Sequence, residues 1–198
     1  MVFQKARPAP ESPGSQTEGF YQAAVKALAR RARSCGEIRL FLQRRKAGKS
    51  EIDLILGRLR ENGYLDDARF ARAFVAARLE DDLHGQRRVR QELRARRVHP
   101  EVIEQAIASG YEKVDEGALL RKYLKRKVRL PRALSKPSAV ASLYRRLLRA
   151  GFSSATIVRE LKKILRGMPS QNRVATDPVL WEEWLDSLAE SSDGEPEA

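Results

Sequence analysis

The stretch Glu61–Val75, ENGYLDDARFARAFV, holds a helix stop, two hydrophobes, two adjacent acids and an aromatic ladder. Asn62-Gly63 can take the left-handed conformation that ends a helix. Asp66 then suits the N-cap of the next helix, and Asp67 in its first turn suits the positive end of the dipole. With Asp66 as N-cap, Leu65 and Phe70 take the N′ and N4 positions of a hydrophobic staple. Phe70, Phe74 and Ala77 follow at i, i+4 and i+7, which predicts the buried face of that helix. Adjacent carboxylates diverge around a helix, so the acid pair reads as helix grammar and not as a catalytic dyad.

The same helical grammar runs outward in both directions. Leu, Ala, Arg, Glu and Lys recur at helical spacing, whereas Val and Ile are scattered without alternation. Helices are expected over 20–33, 35–46, 49–62, 66–82, 86–97, 100–110, 114–129, 137–149 and 153–166. Gly48 and Asn62-Gly63 serve as stops, Pro100 and Pro137 as first-turn residues, and Ser50, Ser135 and Ser153 as caps.

A repeat underlies these helices. Leu42, Leu93 and Leu147 are equivalent at offsets of 51 and 54. Ile38, Val89 and Leu143 lie four residues before them; Ile52, Ile103 and Ile157 lie ten after; Leu56, Ile107 and Leu161 lie fourteen after. Residues four apart share a helix face, so each unit offers two amphipathic helices that pack across a short turn. A preceding helix completes each unit. The expected fold is all-α, an elongated array of three tandem three-helix modules. The boundaries are a disordered leader (1–19), modules at 20–64, 65–111 and 112–167, and an acidic tail (168–198) with a short amphipathic helix.

Charge is the strongest functional signal. The net charge is +13, and residues 20–167 carry 36 bases against 16 acids, while 168–198 carry one base and eight acids. A body near +20 repels itself, which points to a polyanionic partner or an acidic protein surface. On the helix over 86–97, Arg87, Arg90, Arg94 and Arg97 form a stripe turned away from Val89 and Leu93. On the seventh helix Arg121, Lys122, Lys125, Arg126 and Arg129 lie opposite Leu120, Tyr123, Leu124 and Val128, and Arg145, Arg146 and Arg149 extend the charge. Guanidinium forks suit phosphate and carboxylate alike, so these residues are the candidate contacts for a DNA backbone or an acidic groove.

Other chemistries find little support. Cys35 is the single cysteine, which excludes an internal disulfide and a multi-cysteine zinc site. It reads as a small helix-start residue without the His partner of a nucleophile. KAGKS at Lys46–Ser50 would need its first P-loop glycine where Gln43 stands, and it follows a helix. His84 and His99 have no ligand companions at metal spacing. No catalytic residue, metal or cofactor is therefore expected. With no apolar run of the ~20 residues that span a bilayer and no apolar signal region, a cytoplasmic location is the default.

NGYLDDARFARAFVAARL followed by GQRRVRQELRARRVHPEVIEQAI resembles the RecX family of RecA-regulating proteins. The most specific elements are Tyr-Leu-Asp-Asp-x-x-Phe-Ala ending at Ala71 and Gly-x-x-x-hydrophobe-x-x-x-Leu over Gly85–Leu93. The resemblance covers roughly residues 20–167 and implies a protein that lodges in the RecA–DNA filament groove. Such a protein restrains recombinase, ATPase and co-protease activities; the basic stripes add an expectation of contact with single- or double-stranded DNA through phosphates, and a monomer is expected. The family has no catalytic motif to transfer. A helix-turn-helix transcriptional regulator is the alternative, since paired helices with a short turn serve that class too.

The leader and the tail depart from the family pattern. In the tail, Trp181, Trp184, Leu185 and Leu188 form an apolar stripe on a short acidic helix, with Asp177 as cap and Pro178 at N1. Its charge suits folding back on the basic body, or a contact with a partner.

Overall fold

The computed structural model describes residues 13–130, 137–167, 183–187 and 190, and every regular element among them is helical. The helices are α1 (Pro13–Arg30), α2 (Cys35–Arg44), α3 (Lys49–Glu61), α4 (Asp67–Ala77), α5 (Gln86–Ala95), α6 (Pro100–Tyr111), α7 (Glu116–Lys127), α8 (Pro137–Arg149) and α9 (Ser154–Gly167). A π-helical turn, Arg78–Asp82, continues α4. Described residues up to Phe70 join Arg96–His99 in one compact unit; Ala71–Ala95 and the residues from Pro100 onward form the other.

The repeat is written into the core. All twelve equivalent apolar residues are buried, none more than 4% exposed. It extends to the backbone. Lys46, Arg97 and Gly151, each four residues after the central leucine, have φ of 64°, 59° and 93°. This left-handed residue reverses the chain, and the next residue's N–H closes the helix end: Ala47 to the Leu42 carbonyl at 3.2 Å, Phe152 to the Leu147 carbonyl at 3.3 Å. Gly48 precedes α3 as its cap residue, not Ser50, and Glu51 accepts from the Gly48 N–H at 2.8 Å. Ser153 does cap α9, accepting from the Thr156 N–H at 3.3 Å; Ser135 lies outside the described residues.

In the first unit, α1–α3 enclose Tyr21, Ala24, Ile38, Leu42, Ile55, Leu59 and Leu65. Helix α1 starts at Pro13, so residues 13–19, expected in the leader, are helical; residues 1–12 lie outside the described residues. The early turn is held from outside: Thr17 donates to Glu51 at 3.0 Å, and Glu18 pairs with Arg58 at 3.0 Å. Ser34 and Glu37 form a capping box at the start of α2 that the sequence reading missed.

The Asp-Asp pair resolves into two caps. Asp66 accepts from the Arg69 N–H at 2.8 Å, capping α4, whereas Asp67 accepts from the Cys35 N–H at 2.8 Å, at the first residue of α2.

Helix α4 differs from expectation by one position of rotation. Its buried residues are Ala71 and Val75, while Phe70 and Phe74 are half-buried and Ala77 is exposed. The small face lets α6 approach: a Cβ on Gly110 would lie 2.4 Å from Val75 Cγ1. The displaced rings take cations, with Arg78 over Phe74 at 4.5 Å and Arg96 over Phe70 at 5.9 Å.

A second contact also repeats. The Ser34 hydroxyl, just before α2, donates to the Arg96 carbonyl. The Gly85 N–H, just before α5, donates to the Ala150 carbonyl at 2.9 Å. Ser34 and Gly85 are 51 apart and Arg96 and Ala150 are 54 apart, the offsets of the core repeat. Helix start meets helix-hairpin turn in both places.

Candidate functional site: a basic surface

The basic residues divide by what they already hold. On α5, Arg90 is committed, donating Nε and Nη2 to the two Glu104 oxygens of α6 at 2.8 and 3.0 Å. The Arg90 bonds hold the Glu104 carboxyl below its ordinary range, with the Arg90 and Arg94 charges adding to the effect. Arg78 and Arg88 both bind Glu92 at 2.7 Å. Burial pushes the Glu92 carboxyl up, but these two guanidiniums outweigh it and the net shift is downward. Arg87 and Arg94 are exposed and form no ion pair among the described residues. They lie seven residues apart, two turns along one face.

Arg97 does not extend that stripe. Helix α5 ends at Ala95, and Arg97 adopts the left-handed turn conformation, with its carbonyl where a Cβ on Gly36 would be 2.3 Å away. Arg97 belongs with Arg96 and His99 to the first unit.

On α7, Arg121 is likewise committed, bonding Glu160 of α9 at 2.8 Å. Glu160 is only 2% exposed and also receives Lys163 at 3.1 Å. Burial pushes its carboxyl up, yet the bonds from Arg121 and Lys163 dominate and the net shift is downward. Lys122, Lys125 and Arg126 are exposed along one side of α7, and Arg126 reaches the Glu80 carbonyl at 3.5 Å. Val128 is extended, so Arg129 lies past the helix end. On α8, Arg145 and Arg149 are exposed at i and i+4. Arg146 donates to the Lys127 carbonyl at 2.9 Å and covers the Tyr123 ring at 5.9 Å, which fixes α8 beside the end of α7.

One cationic side lies outside the stripes expected from the sequence. Arg159, Lys162 and Arg166 follow at i, i+3 and i+7 on α9, turned away from the buried Ile157 and Leu161. The spacing is visible in the sequence, but Glu160 and the apolar residues between them break the basic run.

Exposed guanidinium and ammonium groups are donors whose geometry suits phosphate and carboxylate oxygens alike. Among the described residues, no group of three or more His, Cys, Asp or Glu side chains is placed to hold a metal ion. Burial pushes the Cys35 thiol up, away from the thiolate form. Burial holds the His84 imidazole low against the opposing Glu92 and Asp82 charges, so it is neutral near pH 7. No helix among the described residues is long and apolar enough to cross a membrane.

The fold and surface define a class: all-α helical repeat proteins with cationic faces. A family model described as RecX, second three-helix domain, matches residues 66–107. A regulatory protein RecX of Thermus thermophilus is 41% identical over 101 residues, covering 50% of this chain and 68% of that protein. That of Deinococcus radiodurans is 30% identical over 168 residues, covering 83% and 79%. The chain belongs to the RecX family. Two crystal structures share the fold: a regulatory protein RecX (TM-score 0.62, 20% identity, 81% of each chain) and RecX from Lactobacillus salivarius (TM-score 0.60, 18% identity, 76% of this chain and 97% of that one).

Proposed function

We propose that this regulatory-family protein is a non-enzymatic modulator of the RecA recombinase. It acts as a cytoplasmic monomer, binds the RecA–DNA filament, and restrains strand exchange, ATP hydrolysis and co-protease function. The observation that carries the reading is the set of exposed cations left outside internal ion pairs among the described residues: Arg87 and Arg94 on α5, Lys122 and Lys125 on α7, Arg145 and Arg149 on α8. A protein that needed charge only for solubility would hold a net charge of about 2–8, not +13. Three modules, 20–64, 65–111 and 112–167, suit contact along a filament groove better than a single recognition helix.

The test is RecA-driven ATP hydrolysis on single-stranded DNA, with the chain added at increasing concentration. Dose-dependent inhibition supports the reading, and its absence, together with no pull-down of RecA in the presence of DNA and ATP, refutes it. DNA contacts made through phosphates are indifferent to sequence and salt-sensitive, with affinity falling about 10³–10⁵-fold between 50 and 200 mM salt for 6–10 neutralised phosphates. A flat titration with a strong preference for one duplex sequence would favour a transcriptional regulator instead.

A further inference from the structure

Within the acidic end of the chain, Asp186 meets Lys162 on the cationic side of α9. Residues 183–187 form a short helical segment whose Leu185 is 0% exposed. Asp186 takes the Lys162 ammonium with both carboxylate oxygens, each at 2.8 Å. Lys162 stands between Arg159 and Arg166 on the same side of its helix, so the Asp186 carboxylate meets the middle cation of a three-cation stripe. Of the chain's charges, residues 168–198 hold eight acids and one base. Trp184 of the segment is half-buried. Expected partners in this stretch, Asp177, Pro178, Trp181 and Leu188, lie outside the described residues.

We propose that this acidic segment is an intramolecular ligand of α9, masking the Arg159–Lys162–Arg166 stripe against an external polyanion such as a single-stranded nucleic-acid backbone. Two chemistries divide the work. Burying Leu185 anchors the segment with an apolar contact that salt does not screen. The Asp186–Lys162 pair is partly exposed and weak in isolation, so a phosphate can replace it. Tethering then raises the local concentration of the carboxylates to about the millimolar range, enough to compete with a dilute strand but not with a saturating one. The proposal needs only a polyanion and stands or falls separately from the RecA reading.

Both tryptophans of the chain, Trp181 and Trp184, lie in the acidic tail, so intrinsic emission excited at the indole band is dominated by it. The experiment uses the full chain, a labelled oligothymidylate and far-ultraviolet circular dichroism as a folding check. Leu185→Ser undocks the segment without changing net charge. Tryptophan emission should shift to the red, oligothymidylate should bind on the order of tenfold tighter at 50 mM salt, and the salt slope should steepen by about one unit per phosphate newly contacted. A red shift with unchanged affinity and slope overturns the proposal, and so does unchanged emission. Lys162→Asp should also undock the segment. Lys162→Asp combined with Asp186→Lys keeps the natural net charge and should bring the blue emission back. Should the double exchange leave the emission red in a helical protein, the ion pair is not what reads the segment and the docking geometry is wrong.

Discussion

The Asp67 carboxylate accepts the backbone N–H of Cys35 at 2.8 Å, joining the first turn of α4 to the first turn of α2 across 32 residues of sequence. Its neighbour Asp66 performs the same office for its own helix, through the Arg69 N–H. One acid of the pair is thus a local cap and the other a tertiary one. Asp67→Ala should cost about 1–2 kcal/mol, because it leaves a half-buried helix-start N–H without its acceptor. Asp66→Ala should cost about 1 kcal/mol. Urea unfolding of each single variant and the double variant checks this; a silent Asp67→Ala would mean that the contact carries no stability.

Glycine substitutions should split sharply. A Cβ on Gly85 would meet the Gly151 carbonyl oxygen at 2.1 Å, and one on Gly151 would meet the Arg88 nitrogen at 2.4 Å with φ already at +93°. Backbone cannot yield as a side chain does, so Gly85→Ala and Gly151→Ala should each destabilise by about 1–3 kcal/mol or more. Gly57 on α3 has open space on its side-chain side, with nothing within 4 Å of where a Cβ would stand. Gly57→Ala should therefore stabilise by about 0.5–1 kcal/mol through helix propensity. Thermal melts of the three variants provide the comparison.

Acid should unfold the second unit through its paired glutamates. Glu92, Glu104 and Glu160 all have carboxyl groups held below the ordinary range. A folded-state pKa below the unfolded one contributes stability that is complete above the unfolded value, about 4.3 for Glu. That contribution is lost as pH falls through the folded values. Urea midpoints should hold steady from neutral pH to about 5 and drop below it. Glu92→Gln should lower the neutral-pH midpoint and flatten the acid limb; an unchanged limb would remove Glu92 from the acid response.

The arginines of α5 should separate into contact and scaffold. Arg87→Glu with Arg94→Glu removes exposed charges with no ion-pair partner among the described residues, at a cost of at most ~0.5 kcal/mol each. This variant should stay helical and lose the proposed inhibition of RecA-driven ATP hydrolysis. Arg90→Ala instead breaks the two-pronged bond to Glu104 and should cost about 0.2–1 kcal/mol. Leu93→Ala empties a fully buried site and should cost about 2–5 kcal/mol, weakening activity only through unfolding. If the Arg87/Arg94 variant folds and inhibits fully, that face is solvated surface and the contact lies on α7–α9.

What the sequence determined by itself is the core and its repetition. Leu42, Leu93 and Leu147 with their neighbours at −4, +10 and +14 are buried because helical spacing alone assigns such residues to one face, whatever the helix packs against. The same local logic identified Asp66 as a cap and Gly63 as a stop, with φ of 71°. Tertiary structure decided the rest. It turned α4 onto Ala71 and Val75 instead of Phe70 and Phe74, since close approach to Gly110 favours the smaller face. It ended α5 at Ala95, taking Arg97 out of the stripe. It also chose which cations are spent: Arg90 meets Glu104 fourteen residues on, and Arg121 meets Glu160 thirty-nine residues on. Such pairs depend on how separate helices are brought together, and periodicity along one helix carries no information about the charge that another will present to it.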